Sequence, residues 1–413
     1  MADRGGFHVR RVGKALPPFG ASFVSVEALS GIVLLAATIA ALVWANVNEH
    51  SYLELWDHRL DLSFGPFDLD LTLAHWVTDG LMTVFFFVVG LEIKREVVRG
   101  ELRDPRTTAI PVVAAIGGMA LPALIFLAVN AGEPSTRGWA IPMATDIAFA
   151  VGVLAILGSR VPRSLKLFLL TLAIVDDIGA ILVIAFFYSD GIAFDWLAAS
   201  LGVVLAILAM QWLGIGRPVA YIVPAFALWL FVDQSGVHAT IAGVALGLLT
   251  PARPFGGRQV IEGLERVTHP WSSFLVVPLF ALANAGVNIS SDTIRQAVES
   301  PVAIGVVLGL VIGKPVGITA ATALGVRLRL GHLPEGVSWR HVVGAGIVAG
   351  IGFTVALFVD ELSFRGQNFD DGVLGILAGS LISGIVGAIV LGRAGRREGT
   401  GSDPATTDGG ARA

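Results

Sequence analysis

Asp176 and Asp177 stand side by side in an otherwise apolar run from Leu165 to Phe187, and Asp146 and Lys314 lie inside two further runs of the same kind. A bilayer core charges about 2.5–3.5 kcal/mol for one such residue at mid-helix, so the four together cost on the order of 10 kcal/mol unless paired or hydrated. One lysine cannot neutralise three aspartates, so a structural ion pair explains only part of the set. Adjacent helical residues point about 100° apart, which lets the two aspartates face different partners. The reading gives Asp176 to Lys314 and leaves Asp177 facing a water-filled cavity. A carboxylate denied water holds its proton more tightly and a lysine less tightly, so such groups can trade protons near neutral pH. A hard monovalent cation prefers oxygen ligands, and Asp177, Thr145 and nearby backbone carbonyls supply them. Asp146 either ligates the ion or offsets helix-end dipoles.

These residues need membrane-spanning elements to hold them. The 413 residues are 54% hydrophobic and 15% charged, too apolar for a soluble globular domain. Apolar runs recur from residues 26–47 to 372–392, and they predict an all-α polytopic membrane protein of about 12 transmembrane helices. The short runs at 218–232 and 236–250 are the weakest of these. Zero cysteines exclude disulfides and thiolate metal sites. Of the 28 Lys and Arg, all but Arg59, Arg137, Arg295, Arg365 and Lys314 fall on one side of the proposed spans. The positive-inside rule then puts both termini in the cytoplasm.

The chain divides into a cytoplasmic segment 1–25, a transmembrane unit 26–393 and a disordered cytoplasmic tail 394–413. Leu53 to Leu73 alternates apolar and polar residues around Gly65-Pro66, which predicts an extramembrane β-hairpin. A lone hairpin is marginally stable, so 53–73 is also a candidate homodimer contact. Residues 109–188 and 301–392 share a plan of three spans whose middle helix is interrupted. The interruptions fall at Pro142-Met143-Ala144-Thr145-Asp146 and at Gly350-Ile351-Gly352-Phe353-Thr354. Paired broken helices predict an inverted-topology repeat with its site at the midplane. Gly305, Gly309, Gly313 and Gly317, like Gly375, Gly379, Ser383 and Gly387, form small-residue ridges for close helix packing.

Several segments carry a resemblance. Thr145 to Ala150, Ile174 to Ala180, Ile312 to Ile318, Val89 to Glu96, Ser235 to Thr240, His269-Pro270-Trp271 and Leu279 to Gly286 resemble the NhaA family of bacterial sodium/proton antiporters, in order from about Val26 to Arg393. The resemblance implies a secondary transporter of the inner membrane, not an enzyme, with sodium or lithium and protons as substrates and no cofactor. It implies electrogenic exchange of more than one proton per cation by alternating access. Asp177 and Asp176 become the ion-and-proton pair, Lys314 the salt-bridging partner of Asp176, and Thr145 with Asp146 the polar break in a crossing helix. Gly350 and Gly352 mark the matching break.

The family is activated at alkaline pH, and the residues matching that role are Glu92, Arg95, Glu96, Glu265 and His269. On one helix end, Glu92, Arg95 and Glu96 also read as ordinary solvated pairs. His238 reads as a hydrogen-bonded interior histidine and Asp79 as a polar packing residue. A sodium-coupled symporter needs no titratable groups, so the tandem aspartates and Lys314 favour exchange over it. An intramembrane aspartyl protease needs its two aspartates on facing helices, with a G-x-G-D turn that this chain lacks. The partners expected are small cations, the bilayer and a second copy of the chain, with no nucleic acid.

Overall fold

The computed structural model describes residues 19–62, 69–189, 191–252, 254 and 259–399. Eight helical segments are long and apolar enough to cross a membrane, and Trp339–Val348 with Phe353–Ser363 makes one more span bent by 47°. Two shorter apolar helices, Pro218–Gln234 and Thr240–Leu249, and the Ser272–Asn284 segment, which opens on a π-turn, complete the twelve. Their outer faces carry exposed Ile32, Ile39, Leu124, Leu205 and Ile385. Apolar side chains that would be a liability in water suit lipid. The interior is packed around Phe126, Phe280, Leu310, Ile318 and Phe358, all fully buried.

Both predicted interruptions are present. A 3-10 helix, Pro134–Met143, gives way to extended residues Ala144 to Asp146, and the chain resumes as the helix Ile147–Leu157. In the second, Trp339–Val348 stops and Phe353–Ser363 starts after a short non-helical link. Pro142 lacks the N–H that would continue the first helix, and Gly350 and Gly352 weaken the second. The two breaks meet directly, because the Asp146 N–H donates to the Ile351 carbonyl at 2.7 Å.

The glycine ridges allow these helices to approach closely. A methyl group added at Gly317 would collide with the Gly117 carbonyl of the helix Pro105–Val129, and one at Gly313 with the backbone of Pro122. Gly375 and Gly379 bring the Gln367–Gly399 helix onto Ala303 and Leu310 in the same way. Three single π-turns, Trp76–Leu81, Ser272–Val276 and Gly309–Gly313, interrupt other spans. Such turns take in an extra residue and shift the helical face that follows, so no apolar periodicity announces them.

Elsewhere the structure corrects the extent of the expected hairpin. Leu53 to Trp56, expected as strand, belong to the helix Glu49–Trp56, whose N-terminus is capped by Asn48 accepting from the Ser51 N–H at 3.1 Å. The cap and the following turn outweigh a short alternation. The strands are Arg59–Asp61 and Asp70–Thr72, paired antiparallel. The Gly65-Pro66 turn lies outside the described residues. The first helix begins at Phe19, within the expected N-terminal segment, and residues 1–18 are not described. The last helix runs to Gly399, past the expected boundary at 393, and the rest of the tail is not described.

Replacing Gly317 by Leu inserts a side chain against the Gly117 backbone. The variant is expected to lose about 1–3 kcal/mol of stability. Thermal unfolding of detergent-solubilised protein checks this, and an unchanged Tm would remove the ridge from the packing.

Candidate functional site

The site is assembled from the crossing, the Arg163–Phe187 helix and the span that bears Lys314. Ala144 and Asp146 are both extended, which turns the Asp146 side chain back over the start of the next helix. Its Oδ1 accepts from the Phe149 N–H at 3.1 Å. Its Oδ2 accepts from the Thr354 hydroxyl at 2.6 Å and the Thr354 N–H at 3.2 Å. One carboxylate therefore ties together the N-termini of both half-helices. It sits where their positive ends converge.

Lys314 follows directly on the Gly309–Gly313 π-turn and is fully buried. Its ammonium lies 2.5 Å from Asp176 Oδ2 and donates to Thr145 Oγ1 at 3.1 Å. The Thr145 hydroxyl in turn lies 2.8 Å from Asp176 Oδ2 and 2.8 Å from the Ala349 carbonyl. A hydroxyl carries one proton, so it can donate to only one of these acceptors at a time. Asp176 is thus bound into a dry cluster with Lys314 and Thr145.

Asp177 points elsewhere. It lines a cavity of about 80 Å³ together with Asp146, Thr145, Thr354, Glu92 and His269. That space is enough for several waters or a partly hydrated small cation. Asp177 Oδ1 is buried and has no hydrogen-bond partner among the described residues. Asp177, Asp146, Thr145 and Thr354 bring oxygens of the kind a hard cation prefers to an otherwise largely apolar wall. Gly350 and Gly352 do not line this space. Gly350 packs against the Leu310 carbonyl and Gly352 against the Leu310 side chain, so both serve the close crossing.

Of the five residues assigned to a pH response, Glu92, Arg95 and His269 line the same cavity, and Glu96 and Glu265 pair with Arg95. Arg95, on Met82–Val98, bridges to Glu265, on Val260–Trp271, at 2.7 Å and to Glu96 at 3.2 Å. His269 lies 3.8 Å from Glu92. The cluster joins two helices 170 residues apart in the chain, which intrahelical pairing alone does not anticipate. Burial pushes the Glu265 carboxyl up, and Arg95 only partly pulls it back. Towards the arginine-poor side, Asp79 lies 3.8 Å from His75 and 4.0 Å from His238, at the π-turn Trp76–Leu81. This pairing fits the interior reading of His238 better than isolation would.

One acidic residue escapes sequence inspection. Asp360 stands at the last position of the apolar run 341–360 and draws no notice there, yet it is fully buried with neither carboxylate oxygen hydrogen-bonded among the described residues. The only signal in the chain is its place one turn inside the end of the Phe353–Ser363 helix.

Comparison with known proteins gives the chain its relatives. A family model described as Na+/H+ antiporter 1 matches residues 21–391. Na(+)/H(+) antiporter NhaA 3 of Frankia alni is 44% identical over 403 residues, covering 89% of this chain and 87% of its own. Na(+)/H(+) antiporter NhaA of Escherichia coli O1:K1 is 44% identical over 371 residues, covering 88% and 95%. The solved structure of the sodium proton antiporter MjNhaP1 from Methanocaldococcus jannaschii shares the fold, with a TM-score of 0.54, 14% identity and coverage of 91% and 98%.

Removing Lys314 would leave Asp176 buried without its counter-charge. Lys314→Met is expected to cost about 3–5 kcal/mol at alkaline pH, and Asp176→Asn in the same chain to recover most of that. Thermal unfolding of the single and double variants measures the coupling. Additive losses would mean that the pair is not one unit.

Proposed function

The chain belongs to the Na+/H+ antiporter 1 family and is a multi-pass membrane transporter, and from that premise we propose that it expels sodium or lithium in electrogenic exchange for more than one proton. The observation that carries this reading is the separation of the two aspartates. Asp177 offers a free oxygen to the cavity while Asp176 is held by Lys314 and Thr145. A cation taking Asp177 displaces its proton. As Asp176 turns to share that cation, its contact with Lys314 breaks and the ammonium can give up a proton of its own.

Two protons leaving for one cation arriving changes the net charge of the site by one. Each net charge moved across the membrane gains about 2.3 kcal/mol per 100 mV, enough for the membrane potential to drive expulsion. The bundle that carries the crossing shifts against the rest, so protons and cation meet the same carboxylates from alternate sides. Asp146 stays with the two helix N-termini, since Phe149 and Thr354 occupy both its oxygens. Thr145 reports on the Lys314–Asp176 pair by switching its one proton between Asp176 and the Ala349 carbonyl.

Reading the arginine-rich face as the cytoplasmic one puts both termini, segment 1–25 and tail 394–413 in the cytoplasm of a bacterial cell, with the spans in its inner membrane. The Arg95–Glu265–Glu96 and Glu92–His269 pairs then stand at the cytoplasmic mouth, where a rising pH ionises the buried Glu265. Since burial raises the Glu265 pKa, ionising it works against the fold. The stability lent by the neutral form is full below the ordinary glutamate value and is lost as pH climbs through the raised one. The mouth therefore loosens towards alkaline pH, the direction of activation. The sheet has two short strands among the described residues, and an isolated hairpin is marginally stable, so a homodimer through 53–73 is the expected assembly.

Proteoliposomes holding a pH dye and an outwardly acid gradient test the transport reading. Sodium or lithium added at alkaline pH should move protons at once, and Asp177→Asn should abolish the movement. Intact exchange in that variant would sink the assignment. A potassium diffusion potential should change the native rate if exchange carries net charge, and indifference to it would leave an electroneutral exchanger. Glu265→Gln should displace the pH of half-maximal exchange by about one unit, the usual size of a protein-induced shift. An unmoved profile would take Glu265 out of regulation.

A further inference from the structure

Asp360 lies six residues beyond Thr354 on the same helix, about 9 Å further along its axis towards the arginine-poor side. Its carboxylate rests against Gly372 on the Gln367–Gly399 helix, where a methyl group would force the carboxylate to move. It is fully buried, and neither oxygen has a hydrogen-bond partner among the described residues. The charged and titratable groups that face it do not neutralise it. On its own helix Glu361 is paired with Arg365 at 2.9 Å, so that guanidinium is engaged. From the Gln367–Gly399 helix come Asp370 and Asp371, both acidic, with Asp371 held by Gln367 at 3.0 Å. On the remaining side is Tyr188, whose hydroxyl donates to the Arg137 carbonyl at 2.7 Å.

A permanently neutral carboxyl would still need an acceptor for its O–H, and an ionised one needs a cation. Gly372 clears space for the group without supplying either. Exposure is graded outward from it, through buried Asp371 to half-buried Asp370. We propose that Asp360 is a second exchange station, which holds a proton or a hard monovalent cation between the central aspartates and the extracellular side. This rests on the exchange reading above. The step is balanced: the Asp360 carboxyl releases its proton to water on the extracellular side as sodium or lithium takes its oxygens, and takes a proton back from that water when the cation leaves.

Infrared difference spectroscopy of the full chain in proteoliposomes, with sodium chloride exchanged against choline chloride, tests the station directly. The Asp177→Asn protein should still lose a protonated-carboxyl band on sodium addition, and Asp360→Asn added to it should remove that loss. Asp360→Ser serves the same subtraction if the first variant fails to give the native amide band. No sodium-dependent band in Asp177→Asn, or a band unchanged by the Asp360 variants, overturns the proposal. If native proteoliposomes still release protons on sodium addition while the band is absent, only the station falls. If the band persists but native proteoliposomes move no protons, the exchange reading falls instead.

Discussion

Two helices stop in the middle of a membrane protein, and the backbone groups they leave open must be satisfied without water. Asp146 meets that constraint on the donor side, taking one N–H from each half-helix and the Thr354 hydroxyl. The Asp146 N–H and the Thr145 hydroxyl meet it on the acceptor side, at the carbonyls of Ile351 and Ala349. Positive helix ends thus find a carboxylate, and the Ala349 carbonyl at one negative end shares the Thr145 hydroxyl with the ammonium of Lys314. Without these bonds the crossing would be an open pair of chain ends, at a cost of several kcal/mol for each bare group.

The same arrangement divides the two aspartates. Lys314 is bound both to Asp176 and to the hydroxyl that secures the break, so the charge state of one carboxylate is wired to the geometry of the crossing. Asp177 is outside that wiring and open to the cavity. A site of this kind can change occupancy at one residue while the other registers the change as a broken or formed bond. Close packing through Gly313 and Gly317 keeps the Lys314 span pressed on its neighbour, so the ammonium has little freedom to drift from the pair.

Much of this was legible in the chain because membrane interiors punish exceptions. Pro142, Gly350 and Gly352 mark the breaks, and a charged residue in an apolar run marks the site, since each would be costly without a purpose. What was not legible depends on packing between distant segments. The pairing of Arg95 with Glu265 looks from sequence like intrahelical ion pairing around Glu92 and Glu96. Leu53 to Trp56 alternate like a strand but follow a good N-cap, and the cap prevails. Asp360 stands too near the end of a span for composition to tell burial from exposure. Asp146 stood between two roles on sequence grounds, and the three donors around it come from a neighbour over two hundred residues away as well as from its own helix.

The π-turn at Gly309–Gly313 carries no charge and touches no ion, yet it sets the angle at which Lys314 leaves its helix. Deleting any one of its residues would restore regular α-geometry and rotate everything beyond it by about 100°. The length of this stretch is therefore frozen in a way that its composition is not. Glycine and aliphatic residues can trade places along it within the limits of packing, whereas a chain one residue shorter would carry its lysine on the wrong face, with every charged group still present in the gene.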